Sequence, residues 1–251
     1  MPDFSYFCPC MEIKTAAIVL HALKYGESQM IVDLFTRALG RVSFFCHIPK
    51  TGKGKIKKQL FQPLTILDVV FDYRPHASMQ HFRDLRLAKP FVSVPFDPVK
   101  LSISLFLAEF LNYATRDEQQ NEPLYDYIED SLLWLDNVTE RFANFHLVFM
   151  MRLSRFIGFF PNLAEDASHQ WFDLRNSVFT GVRPSHPDFL EPAEAANLTL
   201  LMRMDYQNMH LFRLTLGERN RCTEIILHYY RLHVPGFPEM KSLPILQSLF
   251  R

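Results

Sequence analysis

Five lysines fall within nine residues of the segment KTGKGKIKKQL: Lys50, Lys53, Lys55, Lys57 and Lys58. Lysine supplies charge without base-edge specificity, and Gly52 and Gly54 let the backbone follow an irregular polyanion. A Walker-type nucleotide loop needs GxxxxGK followed by Ser or Thr, so that backbone amides and a lysine embrace the phosphates. Here the two glycines are only two residues apart and Ile56 follows Lys55, which argues against an NTPase. The run is therefore expected to touch phosphate. The plainer alternative is a solvated loop with no ligand.

The other reactive residue types form no catalytic set. Cys46 and His47 are neighbours in a strand-like stretch, so their side chains point to opposite faces and cannot act as a nucleophile–base pair. Cys8 and Cys10 lack a second cysteine or histidine pair at metal-ligand spacing. No GxSxG, HExxH or GxGxxG occurs. Glu122, Asp126, Glu129 and Asp130 share a helical stretch and read as a solvated acidic face. No enzyme is expected, and no cofactor.

The 251 residues are 48% hydrophobic with 24 phenylalanines, a composition that can bury a sizeable core. No apolar run reaches the roughly 18 to 20 residues of a membrane span. MPDFSYFCPC lacks the basic start and apolar centre of a secretory signal, so a cytoplasmic location is expected, with residues 1–10 an extension outside the folded core. The net charge is zero but unevenly spread. Residues 1–90 hold 13 Lys and Arg against 7 Asp and Glu, a net of +6, and residues 91–251 hold 14 against 20, a net of −6. A basic first half suits a polyanion, although the halves could also simply attract each other.

Those charges must be positioned by strands. Period-2 patterns predict five: Met11–Leu23, Gln29–Arg37, Arg41–Ile48, Leu60–Tyr73 and Met79–Leu87. The lysine run joins the third to the fourth. Five short strands within about eighty residues fit a closed OB-fold β-barrel. Phe44 and Phe45 point to opposite faces; one is core, and the other either packs outward on the helical part or stacks a base. Pro90, Pro95 and Pro98 then mark a boundary, after which the period becomes helical. Helices are expected at 100–115, 124–137, 141–158, 192–204, 208–214, 217–233 and 243–250. The fold class is thus α+β: an OB barrel over 11–90 and an all-α domain over 91–251, with an irregular insert at 162–190.

The ordered pieces TAAIVLHALKYGESQMIVDLFTRALGR, GKGKIKK, LFQPLTILDV, FIGFFPNL and EIILHYYRLHVPGFPEMKSLPIL resemble the bacterial RecO recombination-repair proteins, over nearly all of residues 11–250. That resemblance implies a non-enzymatic mediator. Such a protein binds single- and double-stranded DNA, anneals complementary strands and, with RecR, helps RecA displace single-strand-binding protein. Some family members carry a four-cysteine zinc site after the G-x-x-P step. In this chain the stretch NLAEDASHQWFDLRNSVFTGVRPSH has no cysteine, and His169 and His186 alone cannot complete a closed zinc shell. No metal is expected, with Trp171, Phe172, Phe179 and Phe189 packing the loop instead.

Two further groups complete the candidate sites. Arg37, Arg41, Arg74, Arg83 and Arg86 lie on or beside the strands, where each either extends the basic groove or is an ordinary surface arginine. In the helical half, Arg152 and Arg155 beside Phe149, Phe156 and Phe159 suit an acidic peptide ending in an aromatic residue, such as the C-terminal tail of single-strand-binding protein. The plainer reading makes those phenylalanines core, covered by the arginine stems. A different class of function, an adaptor whose basic barrel binds acidic proteins, stays open.

Overall fold

A computed structural model describes residues 11–48, 56–162 and 170–249. The chain divides into two compact units: the first holds residues up to Phe91 together with Asp117–Tyr125, the second Val92–Arg116 with the remainder from Asp126.

The first unit is one antiparallel sheet of β1 (Met11–Tyr25), β2 (Gln29–Thr36), β3 (Gly40–His47), β4 (Ile66–Tyr73) and β5 (Phe82–Lys89), in the order β3-β2-β1-β4-β5. β1 is long enough to serve both halves: its first part pairs with β4 and its second with β2, with a register shift between Val19 and His21. Its alternation buries Ile13, Ala17 and Val19 with Val32, Leu34, Phe44, Leu67, Val69 and Phe71 in one core. At residues 17–20 both faces of the strand are buried. On the second face Phe35 stacks on Tyr125, 6.3 Å between centroids.

The barrel expected from the sequence is not closed by a ladder. The sheet edges β3 and β5 are joined by a single parallel bridge, Phe44 to Gln80. The fourth strand is also shorter than its pattern predicts. Lys58–Phe61 form a 3₁₀ turn and β4 begins only at Ile66, because Pro63 has no N–H to donate and Leu64 takes a φ of 62°. Leu64 is held there by complete burial and by its N–H bond to the Val19 carbonyl at 2.7 Å. Gly40 turns β2 into β3 with φ +69°, and a Cβ there would lie 2.2 Å from the Gln119 carbonyl. Glycine is the residue that lets the 117–120 segment cross this turn, where Glu118 accepts the Arg41 N–H.

The second unit contains α1 (Pro98–Ala114), α2 (Glu122–Asn137, its first turn counted with the first unit), α3 (Phe145–Phe156), α4 (Pro192–Arg203), α5 (Leu216–His233) and α6 (Leu243–Gln247). Asp97 caps α1 and a Thr215–Glu218 capping box opens α5. The proline-marked boundary is fastened by Asp136, whose carboxylate accepts the N–H groups of Val92, Ser93 and Val94 at 2.8 Å each. Burial opposes its charge, but those backbone donors hold its pKa below the ordinary carboxylate value. The unit is not purely helical. The stretch expected as an irregular insert contains β6 (Trp171–Asp173), β7 (Val178–Thr180) and β8 (Phe189–Leu190), paired in the order β7-β6-β8. Trp171 meets Phe189 and Phe172 meets Phe179 edge-on, at 5.1 and 4.9 Å. Polar groups clamp the turns. Asp173 accepts from Asn176 and His186, and Asp188 from Arg175 and His228. Among the described residues no three His, Cys, Asp or Glu side chains gather as metal ligands.

His146 on α3 is buried against Phe106, with Nε2 3.2 Å from the Thr223 hydroxyl. Burial, reinforced by the Arg219 charge, pushes its pKa down to about 3. The folded protein therefore keeps it neutral where the unfolded chain takes up a proton, below its ordinary value of 6.5. Stability is lost as the pH falls through that interval, at up to about 1.4 kcal/mol per pH unit for one proton. Between about pH 6 and 4.5, before depressed carboxylates such as Asp136 contribute, His146→Gln should flatten the slope of urea-unfolding free energy by about one proton; an unchanged slope would show that His146 titrates normally.

Candidate nucleic-acid interface

The sheet sorts the basic residues by strand end. Gln29 pairs with His47 and Thr36 with Gly40, so the lysine segment leaves β3 at one end of the β2–β3 hairpin, and Arg37 and Arg41 sit at the other. Seven residue steps separate the ends, roughly 23 Å at the usual strand rise. The structure therefore does not gather the sequence-predicted cations into one groove.

At the lysine end, Lys57 and Lys58 are exposed; Lys50, Lys53 and Lys55 lie outside the described residues. Lys58 and Lys24 line a cavity of about 240 Å³ together with Glu27, Ser28, Gln29, Met30 and Ile48. Lys24 lies just past the predicted end of the first strand at Leu23, yet it belongs to β1. Its signal was the register: β1 ends beside the start of β2, which pairs with the end of β3, so the last residues of β1 must lie near the lysine run. Among the described residues, Lys24, Lys57 and Lys58 form no ion pair.

At the opposite end, Arg41 is 3.1 Å from Asp33, and Asp33 also accepts the Ser43 hydroxyl. Those two charged side chains are only 16% and 18% exposed. Arg37 is 2.9 Å from Glu122 in a more open setting. On β5, Arg86 pairs with Asp68 at 2.9 Å and Arg83 with Glu12 and Asp72. These arginines answer carboxylates of their own unit.

Arg74 is exposed on the loop between β4 and β5. Gln80 orders that loop: its side chain accepts the Arg74 N–H at 2.9 Å and donates to the Arg74 carbonyl at 3.0 Å. Its backbone donates to Ser43 at 2.8 Å and accepts from Phe45 at 2.9 Å. Arg74 and His81 are thereby fixed beside β3. Phe44 is core, whereas the half-buried Phe45 ring lies between Tyr25 and His81 on the other face.

In the second unit the predicted peptide groove is not assembled as one surface. Arg152 donates to the Met204 carbonyl at 3.2 Å and stands 3.8 Å from Asp205. Arg155 lies over the Phe160 ring, 4.0 Å from its centroid. Phe149 is fully buried, Phe156 stacks on Tyr127, and Phe159 packs on Tyr229, Tyr230 and His233. A groove of about 450 Å³ that the sequence did not reveal runs between β8 and α5, lined by Arg221, Glu224, His228 and Arg231, with Arg221 paired to Glu194 and Glu224 and His228 bonded to Asp188.

Similarity to known proteins places this geometry. Residues 11–91 match the family model described as Recombination protein O N terminal, and residues 95–244 match Recombination protein O C terminal. The chain belongs to the RecO family. A Bacteroides fragilis relative named DNA repair protein RecO is 49% identical over 238 residues, covering 94% of this chain and 98% of the relative. Proteins of the same name from Phocaeicola vulgatus and Porphyromonas gingivalis are 48% and 35% identical, covering 94% and 96% of this chain and 98% and 100% of theirs. The five-stranded sheet of this RecO-family chain coincides with the N-terminal match. No helix among the described residues is long and apolar enough to cross a membrane.

The two arginines at the far end should differ in what they stabilise. Arg41→Met leaves Asp33 mostly buried without its cation and is expected to cost about 1 to 3 kcal/mol in urea unfolding. Arg37→Met removes a solvent-exposed pair and should cost less than about 1 kcal/mol. Equal losses would contradict the distinction.

Proposed function

We propose that this chain is a DNA repair and homologous-recombination mediator with no chemical step of its own. It binds single- and double-stranded DNA through the sheet of residues 11–90, anneals complementary strands and, with RecR, helps load RecA onto strands coated by single-strand-binding protein. The observation that carries the reading is a RecO match across the sheet whose lysine end holds Lys24, Lys57 and Lys58 without carboxylate partners among the described residues. Lys50, Lys53 and Lys55, in the same run, are proposed to add to it. Arg74 belongs with this set as an exposed cation. Arg37 and Arg41 are weaker members, because each already answers a carboxylate.

The mechanism is charge neutralisation. Two strands repel through their phosphates, and cations on a rigid sheet lower that repulsion and hold the strands together long enough to pair. Lysine suits this because it contacts phosphate without selecting a sequence. We further propose that Arg152, Arg155 and Phe159 contribute to recognition of the single-strand-binding-protein tail, and that the protein works in the cytoplasm at the nucleoid.

The test is titration of labelled single-stranded DNA at several salt concentrations. For the wild type, affinity should fall steeply with salt. Lys24→Ala/Lys57→Ala/Lys58→Ala should flatten the log–log slope by roughly 2, at about 0.7 per lost phosphate contact on a single strand. The wild type should also speed annealing of complementary strands without metal or nucleotide. Identical slopes would remove these lysines from the interface. Absent or salt-insensitive binding would favour an adaptor for acidic proteins, and metal-dependent cleavage would indicate an enzyme.

A further inference from the structure

The turn that reverses β2 into β3 reads Thr-Arg-Ala-Leu-Gly-Arg over residues 36–41, with two arginines and no carboxylate. Residues 117–122, Asp-Glu-Gln-Gln-Asn-Glu, carry three carboxylates and no cation. The fold lays the second segment on the first. Asp117–Tyr125 belongs to the sheet unit although the chain on both sides of it belongs to the other. The segment is fastened at several points. The Glu118 carbonyl accepts the Arg41 N–H at 3.1 Å, the Glu122 carboxylate lies 2.9 Å from the Arg37 guanidinium, and the Tyr125 ring stacks on Phe35. Asn121 orders it from within, accepting the Leu124 N–H on its side chain and the Tyr125 N–H on its carbonyl.

Two features separate this contact from an ordinary surface ion pair. Gly40 leaves no room for a Cβ, which would meet the Gln119 carbonyl carbon at 2.4 Å as well as its oxygen. The turn is therefore shaped to let a backbone cross it closely. The crossing segment also keeps its carboxylates against local preference. Burial pushes the Glu118 carboxyl up from its ordinary value; a hydrogen bond from Asn121 opposes that, and the Asp117 charge adds to it. A neutral segment would cross the same turn without that cost. Placed here, the Glu122 carboxylate gives Arg37 what a phosphate would give it, an anionic oxygen within hydrogen-bond reach.

We propose that residues 117–122 form an autoinhibitory strap, which occupies the arginine end of the β2–β3 hairpin and keeps nucleic acid off Arg37. This rests on the reading that the sheet unit binds DNA, and adds a built-in limit on how much of the sheet a strand can use. With the strap in place a polyanion meets carboxylates at one end of the hairpin and lysines at the other, roughly 23 Å away. It is held at the lysine end alone. Arg41 keeps Asp33 as its partner whether or not the strap is charged, so Arg37 is the cation that the strap controls. A weaker hold suits a protein that binds strands without regard to sequence and must pass them on.

Titration of labelled single-stranded DNA with the full-length protein over a range of salt tests the strap. Asp117→Asn/Glu118→Gln/Glu122→Gln removes its charges and keeps the side-chain shapes. At about 0.1 M salt this variant should bind about fivefold more tightly than the wild type, with a log–log slope steeper by about 0.7, the increment for one added phosphate contact on a single strand. Arg37→Met should leave the wild-type affinity nearly unchanged, yet cancel the gain when added to the neutralised strap. A gain that survives Arg37→Met would reflect net charge alone and overturn the proposal. So would an affinity unmoved by neutralising the strap, or a clear loss on Arg37→Met in the wild type. Each of those results, with salt-dependent wild-type binding, leaves the phosphate reading standing. Absent or salt-insensitive binding by every variant would overturn that reading and the strap with it. Should the triple variant fail to fold, Glu122→Gln alone, at a half-exposed position, decides by the same readings.

Discussion

The first unit depends on one buried amide. Gln80 makes two backbone hydrogen bonds to β3, and its side chain bonds both backbone groups of Arg74 and the Ala77 carbonyl. At about 1 kcal/mol for each satisfied bond, and more for each buried group left unpaired, this residue joins two sheet edges that no ladder joins. Without it β3 and β5 would each present unpaired N–H and C=O groups, and the 74–81 loop would have nothing to define its path. The position of His81 beside Phe45, and of Arg74 near both, follows from that constraint.

Around this frame, charge is partitioned by pairing more than by composition. The sheet unit is basic overall, yet Arg41, Arg83 and Arg86 are matched by Asp33, Glu12 and Asp68. Lys24 and Lys58, which form no ion pair among the described residues, share a cavity where β1 and β2 meet the lysine run. A net charge of +6 over residues 1–90 thus overstates the positive field of the surface as a whole and understates it at one end. The functional reading rests on that local excess, because phosphate contacts are governed by unpaired charge at close range under physiological screening.

Much of the fold was legible because period-2 and period-3.6 patterns are written directly in the chain. Four of the five strands and the long helices match their patterns to within a few residues. What escaped was set by contacts between distant residues. The shortened β4 reflects a left-handed Leu64 that burial stabilises. The bridge at Gln80 joins segments some thirty-five positions apart and has no local pattern. The small sheet of β6 to β8 has strands of two or three residues, too short to show alternation. For the candidate interface, the lysine run announced itself, whereas the separation of Arg37 and Arg41 from it required strand register. The same register brought Lys24 in. Phe45 was visible as one of a pair, but which of Phe44 and Phe45 faces the core is decided only by pairing with β2.

The central proposal is that the lysine end of the sheet contacts a nucleic-acid strand. Ultraviolet cross-linking of a thymidine oligonucleotide to the full-length protein, followed by peptide mapping, tests it most directly. The account predicts adducts on the peptides of the first unit that carry Lys24, Lys57 and Lys58. Adducts confined to residues 126–251 would contradict it.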